Sequence, residues 1–122
     1  MKHEDLTEKI IGAFFAVHNE LGYGFLEKVY ENSLCIELER LGIDFVQQFP
    51  ITVTYRGRVV GEYVADVVVE DLVIVEVKAV RAILSSHKAQ LLNYLKATKY
   101  EVGLLLNFGP SGTVVRKVMD HG

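Results

Sequence analysis

Residues 63–78 read YVADVVVEDLVIVEVK. Two runs of β-branched residues flank the acidic pair Glu70-Asp71, which is typical of two antiparallel strands joined by a short turn. An odd-numbered loop such as Glu70–Leu72 would centre this hairpin on Asp71. Loop length sets the register of a hairpin, so it also determines which side chains lie opposite each other.

Three charged residues share one face of the hairpin in that register. Successive side chains of a strand alternate between faces, so Glu76 and Lys78 project together while the valines beside them project to the other face. With the loop centred on Asp71, Asp66 faces the same side opposite Glu76. A two-residue loop would instead put the two carboxylates on opposite faces.

Such a group of charges suggests metal-dependent chemistry. Two neighbouring carboxylates raise the pKa of one of them unless a cation neutralises them, and two hard oxygen ligands with room for water suit Mg²⁺ or Mn²⁺. Lys78 beside them can position a water and stabilise the negative charge that develops during attack on a phosphodiester. The alternative is structural, because strands often end in a charged residue and Asp66 can equally terminate a turn.

Periodicity predicts two helices before the sheet. Apolar residues recur every three or four positions over residues 5–20 and again over residues 25–41. Asp5 is the expected N-cap of the first helix, and Gly42 is the expected left-handed C-cap of the second. Cys35 lies among apolar neighbours in the second helix, so we expect it to be packed rather than catalytic.

The remaining elements follow from a change to period two. Residues 45–49 and 51–55 alternate, and Pro50 between them predicts a bend or an edge strand. A strand, a helix and a continuously apolar strand suggest a right-handed crossover to a parallel partner. The predicted fold class is α/β (α+β), with the order α-α-β-β-β-α-β-β and a mixed central sheet, in one domain over residues 1–122. Its later elements are strands over 59–69 and 72–78, a helix over 86–98, and strands over 102–108 and 113–118.

Composition fits one soluble globular domain, since half of the residues are hydrophobic and 24% are charged. A single cysteine cannot form an internal disulfide or an iron–sulfur cluster, which suggests a reducing, cytoplasmic compartment. The first residues turn acidic without the pattern of a signal peptide, and no apolar run reaches the length of a membrane span. We therefore expect no membrane association.

Charges are unevenly distributed along a chain whose net charge is −3. Residues 1–76 hold fourteen acidic and six basic residues, whereas residues 77–100 hold five basic residues and no acidic one. Such a basic segment could contact phosphates, with Lys88, Lys96 and Lys99 beside the cleft. The alternative is a solvated helix with lysines on its outer face.

The helix predicted over residues 86–98 carries a stripe of polar residues. Gln90 and Tyr94 lie one turn apart on one face, and His87 precedes Gln90 by three residues. A polar stripe is usually the solvent face of a helix, but this one follows Lys78 within the basic segment. The expected substrate-side residues are Arg81, His87, Lys88, Gln90 and Tyr94.

Three motifs together resemble the PD-(D/E)xK nuclease superfamily. Asp66 and the sequence Glu76-Val77-Lys78 match its defining residues, although Ala65 stands in place of the proline. Residues 90–94, QLLNY, are similar to the Q-x-x-x-Y motif of the RecB-like branch. Residues 24–30, GFLEKVY, are similar to the signature of the GxxExxY proteins. The resemblance covers roughly residues 5–118.

This resemblance implies a restriction-endonuclease-like fold and Mg²⁺- or Mn²⁺-dependent hydrolysis of phosphodiester bonds in nucleic acid, with DNA as the expected substrate. It implies Asp66 and Glu76 as metal ligands, the Val77 carbonyl as a third ligand, and Lys78 as the catalytic lysine. It also implies that Glu27 completes the site, although a carboxylate in the first turn of a helix is equally explained by the helix dipole. Gln90 and Tyr94 would then be orienting groups.

Two functions remain open on this fold. The first is the metal-dependent nuclease, and the second is a non-catalytic module that binds nucleic acid or protein and keeps its carboxylates for structure. Phosphate-binding glycine loops, zinc-finger spacings and a nucleophile elbow are absent from the sequence, which argues against those classes. The small size of the chain is consistent with a homodimer.

Overall fold

The computed structural model describes residues 2–122, so Met1 of the predicted domain lies outside the described residues. The predicted order α-α-β-β-β-α-β-β is confirmed, and every helix or strand boundary lies within two residues of its predicted position. The elements are α1 (Glu4–Leu21), α2 (Glu27–Arg40), β1 (Phe45–Tyr55), β2 (Arg58–Val69), β3 (Val73–Lys78), α3 (Ser85–Ala97), β4 (Val102–Phe108) and β5 (Gly112–Val118).

Five strands form one mixed sheet in the order β1-β2-β3-β4-β5. All neighbours are antiparallel except β3 and β4, which are parallel. Helix α3 makes the crossover between these two, because parallel strands need a connection that returns the chain to the same end of the sheet. Every residue of β4 is buried, as its continuously apolar sequence predicts.

Helices cover both faces of the sheet. Helices α1 and α2 pack on one face, where Phe14, Tyr30 and Phe108 are fully buried. Helix α3 packs on the other face, where Leu91 and Ile74 are fully buried. Burial of these apolar groups is the main favourable contribution to folding. Within residues 2–122, none of the three helices is both long and apolar enough to cross a bilayer.

The hairpin of β2 and β3 has the odd-numbered loop that the sequence predicts. Val69 pairs with Val73, which leaves Glu70–Leu72 as the loop. The N–H of Leu72 donates to the carbonyl of Val69 at 2.9 Å and closes the turn. The centre of the hairpin is therefore Asp71, and positions 66 and 76 come opposite each other just beyond the last ladder pair.

Strands β1 and β2 are irregular at Gln48 and Asp66. Gln48 has a φ of 58°, in the left-handed region, and these two residues are missing from an otherwise continuous stretch of ladder. Val67 packs in the core beneath α1 and α2, whereas Ala65 packs in the core beneath α3. Residues two apart share a face in a regular strand, so β2 changes face at Asp66. The regular pairing of β2 with β1 is lost at this residue.

Three local predictions can be compared with the structure. Helix α1 begins at Glu4 with His3 at the N-cap position, so Asp5 lies inside the helix and the predicted cap at Asp5 is wrong. Pro50 does not interrupt β1, because it pairs with Val64; its edge position is confirmed, and an edge strand tolerates proline since one of its sides is unpaired. Gly42 follows α2 with a φ of 71°, as predicted for a left-handed cap.

Candidate active site

Asp66 and Glu76 are joined across the hairpin by two reciprocal hydrogen bonds. The N–H of Asp66 donates to Oε2 of Glu76 at 2.7 Å, and the N–H of Val77 donates to Oδ2 of Asp66 at 2.7 Å. The backbone ladder ends at Val67 and Val75, so side-chain carboxylates replace backbone carbonyls as acceptors here. This exchange holds the two carboxylates together at the point where β2 and β3 separate.

Burial raises the pKa of both carboxyl groups. Burial, followed by the charge of Asp66, raises the pKa of Glu76 to about 8. Burial raises the pKa of Asp66 to about 6, although the hydrogen bond from Val77 opposes this effect. Both shifts favour the uncharged form of each group, so a cation bound beside the pair would stabilise the two carboxylates in their charged form.

The oxygen atoms at this point fit a hard divalent cation. Oδ1 of Asp66 and Oε1 of Glu76 have no hydrogen bond within residues 2–122. The N–H and carbonyl of one strand residue point to the same edge, so the Val77 carbonyl also faces the opening beside Asp66. Among the described residues 2–122, no group of three or more Asp, Glu, His or Cys side chains is arranged to hold a metal. Two carboxylates, one carbonyl and waters match Mg²⁺, which retains several waters when bound.

Lys78 ends β3 two residues after Glu76. Its charge lowers the pKa of both Asp66 and Glu76, so the ammonium group is within electrostatic reach of the pair. It nevertheless makes no ion pair within the described residues 2–122. The chain beyond it is fixed by Asn107, which bonds both the N–H and the carbonyl of Val80 at 3.0 and 2.9 Å. Lys78 is thus positioned by its strand, and its ammonium group remains available to a substrate.

Glu27 is the first residue of α2, and its side chain is exposed. Its charge is the last of the contributions that raise the pKa of Asp66. The structure therefore brings Glu27 toward the carboxylate pair without a direct bond to it.

Glu31, one helical turn after Glu27, is the carboxylate that the sequence analysis missed. It is only 4% exposed, and it accepts hydrogen bonds from Lys28 at 2.9 Å, from Gln47 at 2.6 Å and from Gln48 at 3.0 Å. Its charge raises the pKa of Asp66 and of Glu76. The available signal was its position four residues after Glu27, on the same face of the helix.

Tyr30, the last residue of the GFLEKVY stretch, has a structural role. It is fully buried and its ring stacks on Phe108 with centroids 4.4 Å apart. Its hydroxyl donates to the carbonyl of Gly22 at 2.5 Å and accepts from the N–H of Phe25 at 3.1 Å. Tyr30 thereby fixes the loop between α1 and α2, which carries Glu27 at its end.

Gln90 and Tyr94 lie on the side of α3 that lines a groove of about 760 Å³ between α3 and the β1–β2 hairpin. Burial, followed by the charges of Glu76 and Asp66, raises the pKa of Tyr94 to about 12. Tyr94 is therefore within electrostatic reach of the carboxylate pair.

The other substrate-side residues lie around the start of α3. Nδ1 of His87 accepts the N–H of Leu84 at 3.0 Å, so this ring caps the helix and only Nε2 remains available. Arg81 is exposed in the loop before α3, and Lys88 is half-buried in its first turn. Neither Arg81 nor Lys88 has an ion pair within residues 2–122.

The basic segment does not act as one unit. Lys99 binds Asp71 at 2.8 Å, at the loop of the β2–β3 hairpin, and lies over the ring of Tyr100. Asp71 is the centre of that hairpin loop and follows Asp66 by five residues in the chain. The expectation that Lys99 flanks the cleft is therefore wrong, because the acidic hairpin loop pairs with it. Lys96 does line the groove.

Comparisons with known proteins agree with this fold. A family model of the PD-(D/E)XK nuclease superfamily matches residues 4–118. The crystal structure of SSO0001 is similar, with a TM-score of 0.59 and 19% sequence identity, which concerns the fold alone. The similarity covers 97% of this chain but 61% of that one, so the present chain spans under two thirds of that protein's chain. No curated protein matches. Because the family model extends over nearly the entire sequence, the chain belongs to the PD-(D/E)XK nuclease superfamily.

Proposed function

We propose that this protein hydrolyses phosphodiester bonds in nucleic acid with a divalent cation, Mg²⁺ or Mn²⁺, and that DNA is its substrate. The superfamily itself suggests nuclease activity, nucleic acid as substrate and a divalent metal. The observation that carries the proposal is the pair of reciprocal 2.7 Å hydrogen bonds that holds Asp66 and Glu76 together at the end of their ladder.

Asp66, Glu76 and the Val77 carbonyl would hold the cation. When bound, such an ion supplies Lewis acidity and lowers the pKa of a bound water. The protein keeps the two carboxylates in place by their bonds to backbone N–H groups, so little reorganisation is needed on binding. Glu27 and Glu31 add negative charge beside the pair and favour a doubly charged ion over a proton.

Lys78 would stabilise the negative charge that develops on the phosphate oxygens during attack. Its ammonium has no competing ion pair within the described residues, so it need not break a contact to act. Interactions that strengthen only in the transition state raise the rate rather than the affinity. Gln90 and Tyr94 would orient the strand, and Arg81, His87 and Lys88 would contact its phosphates.

A second candidate is a module of this fold that binds nucleic acid or protein without cleaving. It is favoured by the small donor set, since within residues 2–122 no three acidic, histidine or cysteine side chains could hold a metal. We also propose the finer assignments that the motifs suggest, the RecB-like branch and the GxxExxY proteins. A homodimer and a cytoplasmic location remain expectations from chain size and from the single thiol.

The test is cleavage of labelled single-stranded DNA, duplex DNA and RNA with Mg²⁺ or Mn²⁺, using the parent and two lysine variants. Lys78→Ala should slow cleavage at saturating substrate by about 100-fold or more, because it removes a group that stabilises transition-state charge. Lys99→Ala is the matched control, since Lys99 is bound to Asp71 in the hairpin loop. Equal rates for the parent and Lys78→Ala would favour the non-catalytic module.

A further inference from the structure

The groove between α3 and the β1–β2 hairpin lies next to the candidate active site. Its volume is about 760 Å³, the size of a pocket for one drug-sized ligand. Thr52, Val53 and Thr54 form one wall and α3 forms the other. Tyr63 lines this groove and precedes Asp66 by three residues on β2, which is about 10 Å at about 3.3 Å per residue. A chain-like ligand in the groove would therefore lead directly to Asp66 and Glu76.

The lining of the groove is suited to a polyanion. The lining residues include no Asp or Glu, although the whole chain has a net charge of −3, and their one charged side chain is that of Lys96. Several hydroxyl, amide and ammonium groups in the groove bond to no other group within residues 2–122. Unpaired polar groups along a groove are available to a ligand. They belong to Thr52, Thr54, Ser86, Gln90, Asn93 and Lys96.

Tyr63 presents an aromatic ring to the groove. Its side chain is 49% exposed, and its ring centroid lies 5.9 Å from that of Tyr94 at an angle of 48°. The ring also lies over Gly61, where an added Cβ would be only 3.0 Å from the ring edge. Contacts with Gly61 and Tyr94 hold the ring, while half of its surface stays open for stacking.

The dimensions of the groove distinguish an unpaired strand from a duplex. A pocket of this volume accommodates about one or two nucleotides, so it fits part of a single strand rather than a double helix. Bases of an unpaired strand expose their faces, and an aromatic side chain can stack on any of them.

We propose that this groove binds an unpaired nucleic-acid strand, with Tyr63 as the stacking platform for a base and Lys96 as a phosphate contact. This inference rests on the proposed function and narrows its substrate to single strands, overhangs or frayed ends. The strand runs between the β1–β2 hairpin and α3 and brings a phosphodiester to Asp66 and Glu76.

The test is binding in EDTA, where no cleavage occurs, measured by fluorescence anisotropy of a labelled DNA single strand of about 12 nucleotides. The same label on a blunt duplex of that sequence is the comparison. The parent should bind the single strand more tightly than the duplex. Tyr63→Ala should weaken binding of the single strand about tenfold, and Tyr63→Phe should restore it because the ring is retained.

Tyr55→Ala is the matched control, because Tyr55 is a 63% exposed tyrosine on the same hairpin that does not line the groove. It should bind as the parent does. Ala89→Asp, a change at an exposed position in the groove wall, should also weaken binding by adding a negative charge beside the phosphates. Thermal melting of each variant reports whether it folds.

Equal single-strand binding by the parent, Tyr63→Ala and Ala89→Asp would overturn the inference, as would equal losses in Tyr63→Ala and Tyr55→Ala. Tighter binding of the duplex by the parent would overturn it as well. The proposed nuclease function is tested by different measurements, because cleavage depends on Lys78 and on added metal, whereas strand binding is measured in EDTA. Cleavage that requires Lys78 but does not change in Tyr63→Ala would support the nuclease function and overturn the proposed role of the groove in binding the strand.

Discussion

Asp66 and Glu76 accept hydrogen bonds that backbone carbonyls would accept in a regular sheet, and this substitution makes a site from a hairpin. A carbonyl acceptor is neutral, whereas a carboxylate brings a negative charge into a buried place. The charge is tolerated because a backbone N–H donates to each group at 2.7 Å. Even so, burial raises the pKa of both groups, which means that ionising them in the metal-free protein is unfavourable.

Glu76 should make the metal-free protein less stable as pH rises. Its carboxyl has a pKa of about 8 when folded and an ordinary value of 4.5, so between these values the folded state binds a proton that the unfolded chain has lost. The free energy of unfolding then falls with rising pH across that window. Glu76→Gln cannot ionise and still accepts the N–H of Asp66. Above pH 8 it should be more stable than the parent by at least about 1 kcal/mol.

Urea unfolding in EDTA at pH 5 and pH 8.5 measures this difference. The difference in the free energy of unfolding between Glu76→Gln and the parent should shrink toward pH 5. At that pH the carboxyl of Glu76 is protonated in the folded parent, and it is less fully ionised in the unfolded chain than at pH 8.5. A parent whose stability does not change between the two pH values, or a variant that is less stable at both, would show that Glu76 ionises normally in the fold.

The placement of Asp66 opposite Glu76 could be predicted because an odd-numbered loop sets the hairpin register by a local rule, although side-chain alternation in β2 fails at Asp66. Glu31 could not be singled out, because a buried glutamate and an exposed one look alike in a helix. Its contact with the sheet includes a hydrogen bond from Gln48, which lies in a strand but has a φ of 58°. No local rule assigns a left-handed conformation to glutamine in that setting, since glycine or asparagine is the usual choice.

Helix α2 and strand β1 are tied together through Glu31, which connects the helix to the irregular part of the sheet. Its carboxylate accepts bonds from Gln47 and Gln48 and from Lys28 of its own helix. Glu31→Gln replaces an acceptor with an amide whose N–H groups face other donors. It should lower the free energy of unfolding by about 2 kcal/mol.

Glu37→Gln is the control for that change, because Glu37 lies on the same helix and pairs with the largely exposed Arg40 at 2.9 Å. Loss of such a surface pair should cost no more than about 0.5 kcal/mol. Urea unfolding of both variants in EDTA at one pH compares them. Similar losses for the two would mean that Glu31 does not join α2 to β1.

Element bounds could be predicted because apolar periods of 3.6 and 2 extend over whole helices and strands. Pro50 lies in an edge strand, as one of the two predictions for it states, but it does not interrupt the pairing of β1 with β2, and sequence alone does not decide between a bend and an edge strand. The predicted N-cap of α1 is wrong, since His3 precedes the helix without a side-chain cap and Asp5 lies within it. Neither feature follows from periodicity.

The molecule as a whole combines an acidic body with a groove between α3 and the β1–β2 hairpin whose lining includes no acidic residue. The sequence shows that the charge changes from mainly acidic to basic after residue 76. The basic residues that follow include Lys78, Arg81, Lys88 and Lys96. Which of the lysines are available could not be predicted, because Lys99 pairs with Asp71, a residue 28 positions earlier. A long-range ion pair leaves no pattern in a single sequence.

Titration of the metal-free protein with Mn²⁺, followed by electron paramagnetic resonance of the free ion, tests whether the carboxylate pair is a metal site. The parent should bind the ion, and Asp66→Asn should bind it at least about tenfold more weakly because a ligand charge is lost. Asp71→Asn is the control, since Asp71 is an acid of the same hairpin that is already paired with Lys99, and it should bind like the parent. Parent-like affinity in Asp66→Asn, or an equal loss in Asp71→Asn, would contradict a metal site at Asp66 and Glu76.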